Sequence, residues 1–155
     1  MASQPSPTSS TPVRSFFGQY QRGVDKKGRV ILPARFRELL GDERIFITKG
    51  FEKCLILMPT EEYERRRRKM ESYSPTQAKA RRLKRRFFSN TEEVKPDGMG
   101  RINIPQFLRD YADLTGDVVF IGVDSYIEIW DAEQWKQHEL ELDEEANLEE
   151  WEGLE

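Results

Sequence analysis

The residues best suited to chemistry occur in two short segments that share one pattern. Residues 25–29 read Asp-Lys-Lys-Gly-Arg, and residues 97–101 read Asp-Gly-Met-Gly-Arg. A carboxylate and a guanidinium at this spacing offer two kinds of chemistry. The two carboxylates could share a proton in acid–base catalysis, or the two guanidinium groups could bind phosphate groups or the hydrogen-bonding edge of a nucleotide base.

Catalysis by an aspartate pair is the weaker of these two interpretations. Such a pair requires apolar surroundings that keep one carboxyl group protonated. Here Lys26, Lys27 and the two arginines would hold both Asp25 and Asp97 in the ionised form. We therefore predict no catalytic residue in these segments and interpret them as binding loops.

The rest of the chain offers few groups for catalysis or metal binding. It contains one cysteine, Cys54, and one histidine, His138. These two residues cannot supply the four Cys or His ligands of a structural zinc site, and Cys54 cannot form an internal disulfide. We interpret Cys54 as a buried strand residue and place His138 near the end of a helix. We predict no metal, no cofactor and no small-molecule substrate, in a protein of the reducing cytoplasm.

The small net charge of −3 conceals a strong separation of charge along the sequence. Residues 1–90 contain 21 basic and 9 acidic side chains, whereas residues 91–155 contain 4 basic and 19 acidic ones. Nine of the acidic residues lie beyond residue 138, where no basic residue occurs. This separation indicates a part that binds a polyanion and an acidic appendage. No apolar run approaches the roughly 18 residues needed to span a bilayer, so we expect no membrane partner.

The two segments belong to a longer internal repeat. A shift of 72 residues aligns residues 25–37 with residues 97–109 without a gap, and five of the thirteen aligned positions are identical. The hydrophobic pattern continues to match beyond these segments. Each copy is too small to form a stable core alone, so we predict that copies at about 21–65 and 93–137 pack together with pseudo-two-fold symmetry.

Each copy predicts the same order of strands and helices. An aspartate followed three positions later by glycine is typical of a type I turn, so each motif should form a hairpin turn that its aspartate caps. Alternation after the turn should bury Val30 and Ile102 and leave Arg29 and Arg101 on the other face. A short helix with the motif's proline at its first position, two apolar strands and a helix with acidic residues in its first turn should follow.

The composition divides the chain into five segments. They are a disordered leader (1–14), a first repeat (15–63), a basic helical spacer (64–90), a second repeat (91–138) and an acidic tail (139–155). We predict helices in the spacer, interrupted near Ser74 and Pro75. We predict disorder in the leader and in the tail, because polar and charged residues dominate both segments.

The order of these motifs resembles the MraZ family of bacterial transcriptional regulators. The resemblance covers residues 16–138 and rests on Phe16-Phe17-Gly18, both copies of the Asp-x-x-Gly-Arg motif, the basic spacer and the closing Tyr-Ile-Glu-Ile-Trp of residues 126–130. It implies an α+β fold of two tandem AbrB-like, swapped-hairpin β-barrel units with pseudo-two-fold symmetry, plus helices. It also implies ring-like homo-oligomers.

The same resemblance implies a function. It indicates a regulator, usually a repressor, that binds double-stranded DNA at short repeated promoter sites upstream of the division and cell-wall gene cluster. The family's DNA-contacting loops fall on Asp25 with Arg29 and on Asp97 with Arg101. We therefore predict a cytoplasmic, nucleoid-associated, sequence-specific DNA-binding protein that is not an enzyme.

We expect different roles for the residues of the two loops. Arg29 and Arg101 should contact bases, because a guanidinium at the base of a rigid turn can donate two hydrogen bonds to guanine. The expected phosphate contacts are basic residues in or near the first loop, namely Lys26, Lys27, Arg14 and Arg22. The expected loop-structuring residues are the aspartate and the second glycine of each motif, namely Asp25, Gly28, Asp97 and Gly100.

The remaining basic residues allow several interpretations. The runs at residues 65–69 and 81–86 could be solvated helix faces, could attract a polyanion, or could bind the acidic surface of a neighbouring subunit. Arg37 and Arg109 recur within the short helices, where we expect structural salt bridges.

The sequence also allows a second function that does not involve recognition of a DNA sequence. The basic half of one chain could bind the acidic half of the next, because head-to-tail contacts close into rings when their rotation permits. The protein would then be a ring-forming scaffold or partner-binding protein.

Overall fold

The computed structural model describes residues 14–146 and has the α+β composition expected from the sequence. The first repeat contains β1 (Gln19–Arg22), β2 (Arg29–Ile31), α1 (Ala34–Leu40), β3 (Ile45–Lys49), β4 (Leu55–Pro59) and α2 (Thr60–Ser72). Helix α3 (Ala78–Ser89) connects the two repeats. The second repeat contains β5 (Glu92–Val94), β6 (Arg101–Asn103), α4 (Gln106–Tyr111), β7 (Val118–Val123), β8 (Tyr126–Asp131) and α5 (Ala132–Glu145). The same order of elements in both halves confirms the internal repeat.

The two repeats exchange strands. Strand β1 of the first repeat pairs with β7 of the second, and β5 of the second pairs with β3 of the first, both antiparallel. With β4 and β8 they form one six-stranded sheet in the order β1-β7-β8-β4-β3-β5. Strands β2 and β6 form a separate two-stranded antiparallel ribbon. Neither repeat completes its own sheet, so the two copies form one body, as their small size predicted.

One apolar cluster joins the ribbon, the short helices α1 and α4, and one face of the sheet. Val30 and Ile102 lie opposite each other in the ribbon and are 1% and 0% exposed. Phe16, just before β1, packs edge to face against Phe36 of α1, with ring centroids 5.8 Å apart. The predicted burial of the apolar ribbon positions is therefore confirmed.

Helices α2 and α3 cover the opposite face of the sheet at β3 and β4. The side chains of Phe46 and Phe87 are buried there. Tyr63 of α2 stacks on Phe46 with ring centroids 4.1 Å apart, and Phe87 of α3 lies against Tyr63 at 6.2 Å. The chain between Ser72 and Ala78 is not helical, which confirms the predicted interruption of the spacer.

Acidic residues of the same helix neutralise much of the basic run in α2. Arg65 and Arg66 both form ion pairs with Glu62, each with an N–O distance of 2.7 Å. Burial alone would raise the pKa of Glu62, but the hydrogen bonds from the two arginines outweigh it and lower that pKa. Arg67 pairs in turn with Glu64 and Glu71. This part of the run therefore carries little net charge.

Three helix boundaries differ from the predicted ones. Pro33 and Pro105 precede α1 and α4 instead of occupying their first positions, because ψ angles of 135° and 144° keep both prolines extended.

Helix α5 continues to Glu145, so the prediction of disorder was wrong for residues 139–145. Glutamate and leucine favour helix, which extends α5 past the predicted end. Residues 1–13 and 147–155 lie outside the described residues.

His138 consequently lies within α5 and not at its end. Its ring stacks on Trp130 of β8, with centroids 4.7 Å apart. Among the helices of residues 14–146, none combines the length and the apolar character that a membrane span requires.

A glycine in β7 allows the segment before β1 to pack closely against the sheet. Phe16 exchanges two backbone hydrogen bonds with Asp124, of 2.8 and 2.7 Å. A Cβ atom at Gly122 would collide with the backbone of Phe16 and Phe17, whereas one at Gly116 would meet nothing within 4 Å.

We expect Gly122→Ala to lower the free energy of unfolding by about 1–3 kcal/mol, because the added methyl group must displace backbone. Gly116→Ala is the matched control and should behave like the unaltered protein. Urea unfolding followed by circular dichroism measures both variants. Equal stability of the two variants would show that Gly122 is not a close-packing position.

Candidate functional site

The first binding loop is a tight turn that Asp25 holds together. Its Oδ1 atom accepts the backbone N–H groups of Lys27 and Arg29, both at 2.9 Å. The backbone N–H of Gly28 donates to the carbonyl of Asp25 at 3.0 Å. Gly28 has a φ of 83°, a left-handed conformation that residues with a Cβ rarely adopt.

The second loop repeats this geometry. The Oδ1 atom of Asp97 accepts the backbone N–H groups of Met99 and Arg101, both at 2.9 Å. Gly100 donates its N–H to the carbonyl of Asp97 at 2.9 Å and has a φ of 79°. The two turns share one hydrogen-bond pattern although the two residues between Asp and Gly differ.

Each aspartate also orients the arginine of its own loop. Arg29 donates Nε to Asp25 Oδ2 at 2.7 Å, and Arg101 donates Nε to Asp97 Oδ2 at 2.8 Å. The two arginine side chains are 33% and 27% exposed. Within residues 14–146 no hydrogen-bond partner lies near the terminal Nη atoms of either arginine. Each guanidinium is therefore held on one side while its outer edge can donate to a ligand.

Both aspartates are ionised at neutral pH. Hydrogen bonds from the backbone of Arg29 lower the pKa of Asp25, with further lowering from its guanidinium and from the N–H of Lys27. The pKa of Asp97 is lowered in the same way by Arg101 and Met99. Because each carboxylate forms an ion pair within its own loop, the pair cannot share a proton as an acid protease requires. The geometry therefore supports the interpretation of these loops as binding loops.

The ribbon brings the two loops to one surface. Arg29 lies opposite Asn103, and Arg101 lies opposite Ile31, with the buried pair of the ribbon between them. Since alternate residues of a strand share a face, both arginines point away from the core on the same face. Diagonal neighbours across an antiparallel pair are about 7–8 Å apart. The ribbon thus places Arg29 and Arg101 at diagonal positions of one face, with one turn at each of its ends.

The two loops differ in charge. Lys26 and Lys27 are exposed, and neither forms an ion pair within the described part of the chain. The equivalent positions are Gly98 and Met99, and Met99 is 64% exposed. The first loop therefore presents two unneutralised positive charges that the second loop lacks.

Arg37 and Arg109 were predicted to form salt bridges, and this prediction was wrong. Neither residue forms an ion pair with another residue of 14–146. Arg37 donates Nη1 to the carbonyl of Met99 at 3.3 Å, and Arg109 donates Nε to the carbonyl of Ile104 at 2.9 Å. Sequence reasoning missed these backbone acceptors because carbonyl groups leave no signal in residue types. The recurrence of both arginines in the repeat was the one available indication that they matter.

The remaining predicted phosphate contacts, Arg14 and Arg22, lie outside the turns themselves. Arg14 forms ion pairs with Glu43 at 2.7 Å and Glu61 at 3.4 Å, which occupy its guanidinium. Arg22, at the end of β1, donates to the carbonyl of Gln21 at 2.8 Å. Arg22 is half-buried and lies three residues before Asp25. Of these two residues, Arg22 is the one whose position in the chain adjoins a loop.

One group of residues in 14–146 has the composition of a metal site. The ligand atoms of Glu52, Cys54 and Glu128 lie within 4.8 Å of one another. Cys54 is 0% exposed, and burial raises the pKa of its thiol. A metal ligand or nucleophile must be the thiolate, which this environment disfavours. Burial and the neighbouring carboxylates of Glu128 and Glu52 therefore favour the neutral thiol of Cys54.

The lowered pKa values of the two aspartates predict a pH-dependent contribution to stability. An aspartate whose folded-state pKa lies below the ordinary value of 3.8 stabilises the protein above that value. This stabilisation is lost as pH falls through the lowered pKa. Asp25→Asn combined with Asp97→Asn should therefore reduce the free energy of unfolding at neutral pH, and the difference from the unaltered protein should shrink below pH 3.8.

Urea unfolding at neutral and acid pH measures this difference. The control is Asp42→Asn, because Asp42 is exposed and accepts no hydrogen bond from the described residues. It should leave the free energy of unfolding unchanged at neutral pH. A difference for the double variant that stays constant on acidification would contradict the assigned role of the two carboxylates.

Comparisons with known proteins identify the family. The family model described as "MraZ protein, putative antitoxin-like" matches residues 15–86 and again residues 87–152. A protein of Desulforamulus reducens named Transcriptional regulator MraZ is 42% identical over 128 residues, which cover 83% of this chain and 89% of that protein. Proteins of the same name from Acetivibrio thermocellus and Dictyoglomus turgidum are 45% and 44% identical over 123 and 126 residues. These alignments cover 79% and 81% of this chain and 85% and 86% of the two relatives. Since the family model matches both repeats and the relatives align along most of their length, the chain belongs to the MraZ family.

Proposed function

We propose that this protein is a transcriptional regulator that binds double-stranded DNA in a sequence-specific manner. The observation that carries the proposal is the pair of arginines on the ribbon, each held at Nε by its own aspartate and each with its outer edge directed away from the core. The shared name of the relatives, Transcriptional regulator MraZ, supports the same function. Arginine presented in this way can donate two hydrogen bonds to guanine O6 and N7 in the major groove.

The other loop residues supply affinity in this proposal. Lys26 and Lys27 contact phosphate, because flexible side chains with a single charge suit a phosphate group and carry no base specificity. Arg22 adds a phosphate contact beside the first loop. Arg14 contributes least, since two glutamates already occupy its guanidinium. Asp25, Gly28, Asp97 and Gly100 maintain the turns.

The fold supports the finer assignment to the AbrB-like, swapped-hairpin class. Each repeat gives its first strand to the strands of the other repeat, through the pairs β1–β7 and β5–β3. The ribbon takes one strand from each repeat. We propose that the two repeats are two tandem AbrB-like, swapped-hairpin β-barrel units related by pseudo-two-fold symmetry.

The biological setting follows from family resemblance. We propose that the protein acts as a repressor at repeated promoter sites of the division and cell-wall gene cluster and is associated with the nucleoid in the cytoplasm. Ring-like assembly would present several copies of the ribbon to several repeats. Each added site would then bind at a high effective concentration.

A scaffold without base readout is the second candidate function, and the distribution of charge favours it. Helix α3 carries basic residues on its exposed surface, whereas residues 139–145 of α5 contain five acidic residues and no basic one. Leu140 and Leu142 are also 52% and 44% exposed on α5. Contact between these two surfaces of neighbouring chains would build a ring with or without DNA.

The decisive test replaces the two ribbon arginines. Arg29→Ala and Arg101→Ala should each abolish preference for a selected sequence over scrambled DNA at the contacted position, a loss of about 1–3 kcal/mol of discrimination. Selection from random duplex DNA followed by gel-shift titration measures the preference. Arg35→Ala is the matched control, because Arg35 is exposed on α1 and its one carboxylate partner within residues 14–146, Glu38, is 4.0 Å away. Unchanged sequence preference in both variants would leave the scaffold function as the better account.

Replacement of the two lysines should give a different result. Lys26→Ala combined with Lys27→Ala should weaken binding to selected and scrambled DNA equally, because phosphate contacts carry no sequence information. The slope of the logarithm of the binding constant against the logarithm of salt concentration should fall by about 0.9 for each lost contact. Titrations at several salt concentrations, with Lys79→Ala in α3 as control, provide the measurement. A sequence-selective loss would contradict this division of roles.

A further inference from the structure

Arg37 belongs to the first repeat but contacts the binding loop of the second. It lies on α1 of the first repeat, and its Nη1 atom donates to the carbonyl of Met99 in the second loop at 3.3 Å. A Cβ atom built on Gly100 would collide with the guanidinium of Arg37. The guanidinium therefore occupies the space that a side chain at position 100 would need. Gly100 directly precedes Arg101 in the chain.

Arg109 makes the reciprocal contact. It lies on α4 of the second repeat, and its Cζ atom is 2.5 Å from the position that a Cβ atom of Gly28 would occupy. Its Nε atom donates to the carbonyl of Ile104 at 2.9 Å, which fixes the guanidinium beneath the first loop. Gly28 directly precedes Arg29. The side chain from the second repeat thus supports the turn that orients the arginine of the first.

Backbone hydrogen bonds follow the same crossed pattern. The N–H of Leu32 donates to the carbonyl of Gly100, and the N–H of Ile104 donates to the carbonyl of Gly28, both at 2.9 Å. Each turn therefore accepts one backbone hydrogen bond from the other repeat and packs against one guanidinium from that repeat. Arg37 also donates a hydrogen bond to the second turn, whereas Arg109 donates to the carbonyl of Ile104 in its own repeat. Within the described chain, the aspartate of each loop is the only residue of the same repeat whose side chain accepts hydrogen bonds from that turn.

We propose that Arg37 and Arg109 are crossed positioning residues: Arg37 sets the base contact of Arg101, and Arg109 sets the base contact of Arg29. The proposal rests on the proposed DNA-binding function for its effect on specificity. Its structural part, that each arginine orders the loop of the other repeat, stands independently of DNA. A position in one repeat therefore governs recognition by the other.

The structural part is tested on the full chain without DNA. Backbone amide resonances are compared between the unaltered protein and the variants Arg37→Ala and Arg109→Ala by ¹H–¹⁵N NMR. Arg37→Ala should shift the resonances of residues 97–101 and leave those of residues 25–29 in place, and Arg109→Ala should do the reverse. Arg35→Ala is the control on the same helix and should shift neither loop. If Arg37→Ala fails to fold, Arg37→Met keeps the apolar stem and removes only the donor group.

The specificity part is tested with a random pool of duplex DNA. Selected sequences are compared for the unaltered protein, Arg37→Ala, Arg109→Ala, Arg29→Ala and Arg101→Ala. Arg37→Ala should lose preference at the base position that Arg101→Ala loses, and Arg109→Ala at the position that Arg29→Ala loses. The loss of preference should be about fivefold or more, within the range of a bidentate arginine contact.

The outcomes separate the two proposals. Shifts confined to the loop of the mutated repeat, or equal shifts in both loops, would overturn the crossed positioning. Crossed shifts with unchanged base preference would overturn the control of specificity. If the unaltered protein selects no sequence, the DNA-binding proposal fails, and the amide resonances alone decide whether each arginine orders the opposite loop.

Discussion

Pairing of β2 with β6 is the contact on which the site depends. Its centre is the buried pair Val30 and Ile102, and one strand comes from each repeat. A slip of one residue in either strand would turn that strand's arginine towards the core and expose its apolar side chains, because side chains alternate between the faces. Burial of two apolar residues therefore specifies the exposure of Arg29 and Arg101. The same pairing sets the separation of two turns that are 72 residues apart in the sequence.

Orientation and charge are supplied by different residues at this site. An arginine paired with an aspartate adds little net charge. The Asp–Arg pairs of the two loops therefore orient the guanidinium N–H donors but attract a polyanion only weakly. In α2, Glu62, Glu64 and Glu71 likewise neutralise Arg65, Arg66 and Arg67. Under the proposed function, the attraction to DNA then comes from cations that have no acidic partner within residues 14–146, among them Lys26 and Lys27. Under the proposed function, selectivity and affinity are consequently separable by mutation, and salt acts mainly on the second.

The sequence predicts the features that depend on neighbours in the chain. The turns, the alternation in the ribbon and the order of elements follow from local patterns of Asp, Gly and apolar residues, and the structure confirms the buried ribbon positions and the repeat. The partners of Arg37 and Arg109 did not follow, because a 72-residue shift shows that two positions are equivalent without showing which repeat each one contacts. The exchange of strands between the repeats determines which repeat each arginine contacts. The continuation of α5 to Glu145 was missed for another reason, since high charge density indicated disorder where helix propensity prevails.

The sequences of the two loops differ only at the two positions between Asp and Gly, whose side chains the turn geometry does not restrict. Lys27 and Met99 both donate their backbone N–H to an aspartate, and this contact is independent of the side chain. Gly28 and Gly100 are fixed, because their φ angles are positive and a guanidinium from the other repeat covers each one. The loops therefore keep one geometry for their arginines while only the first carries two extra lysine charges. A nearly symmetric body that differs in charge at its two turns has a direction. Under the proposed function, this direction would allow a single chain to distinguish the two orientations of a DNA site.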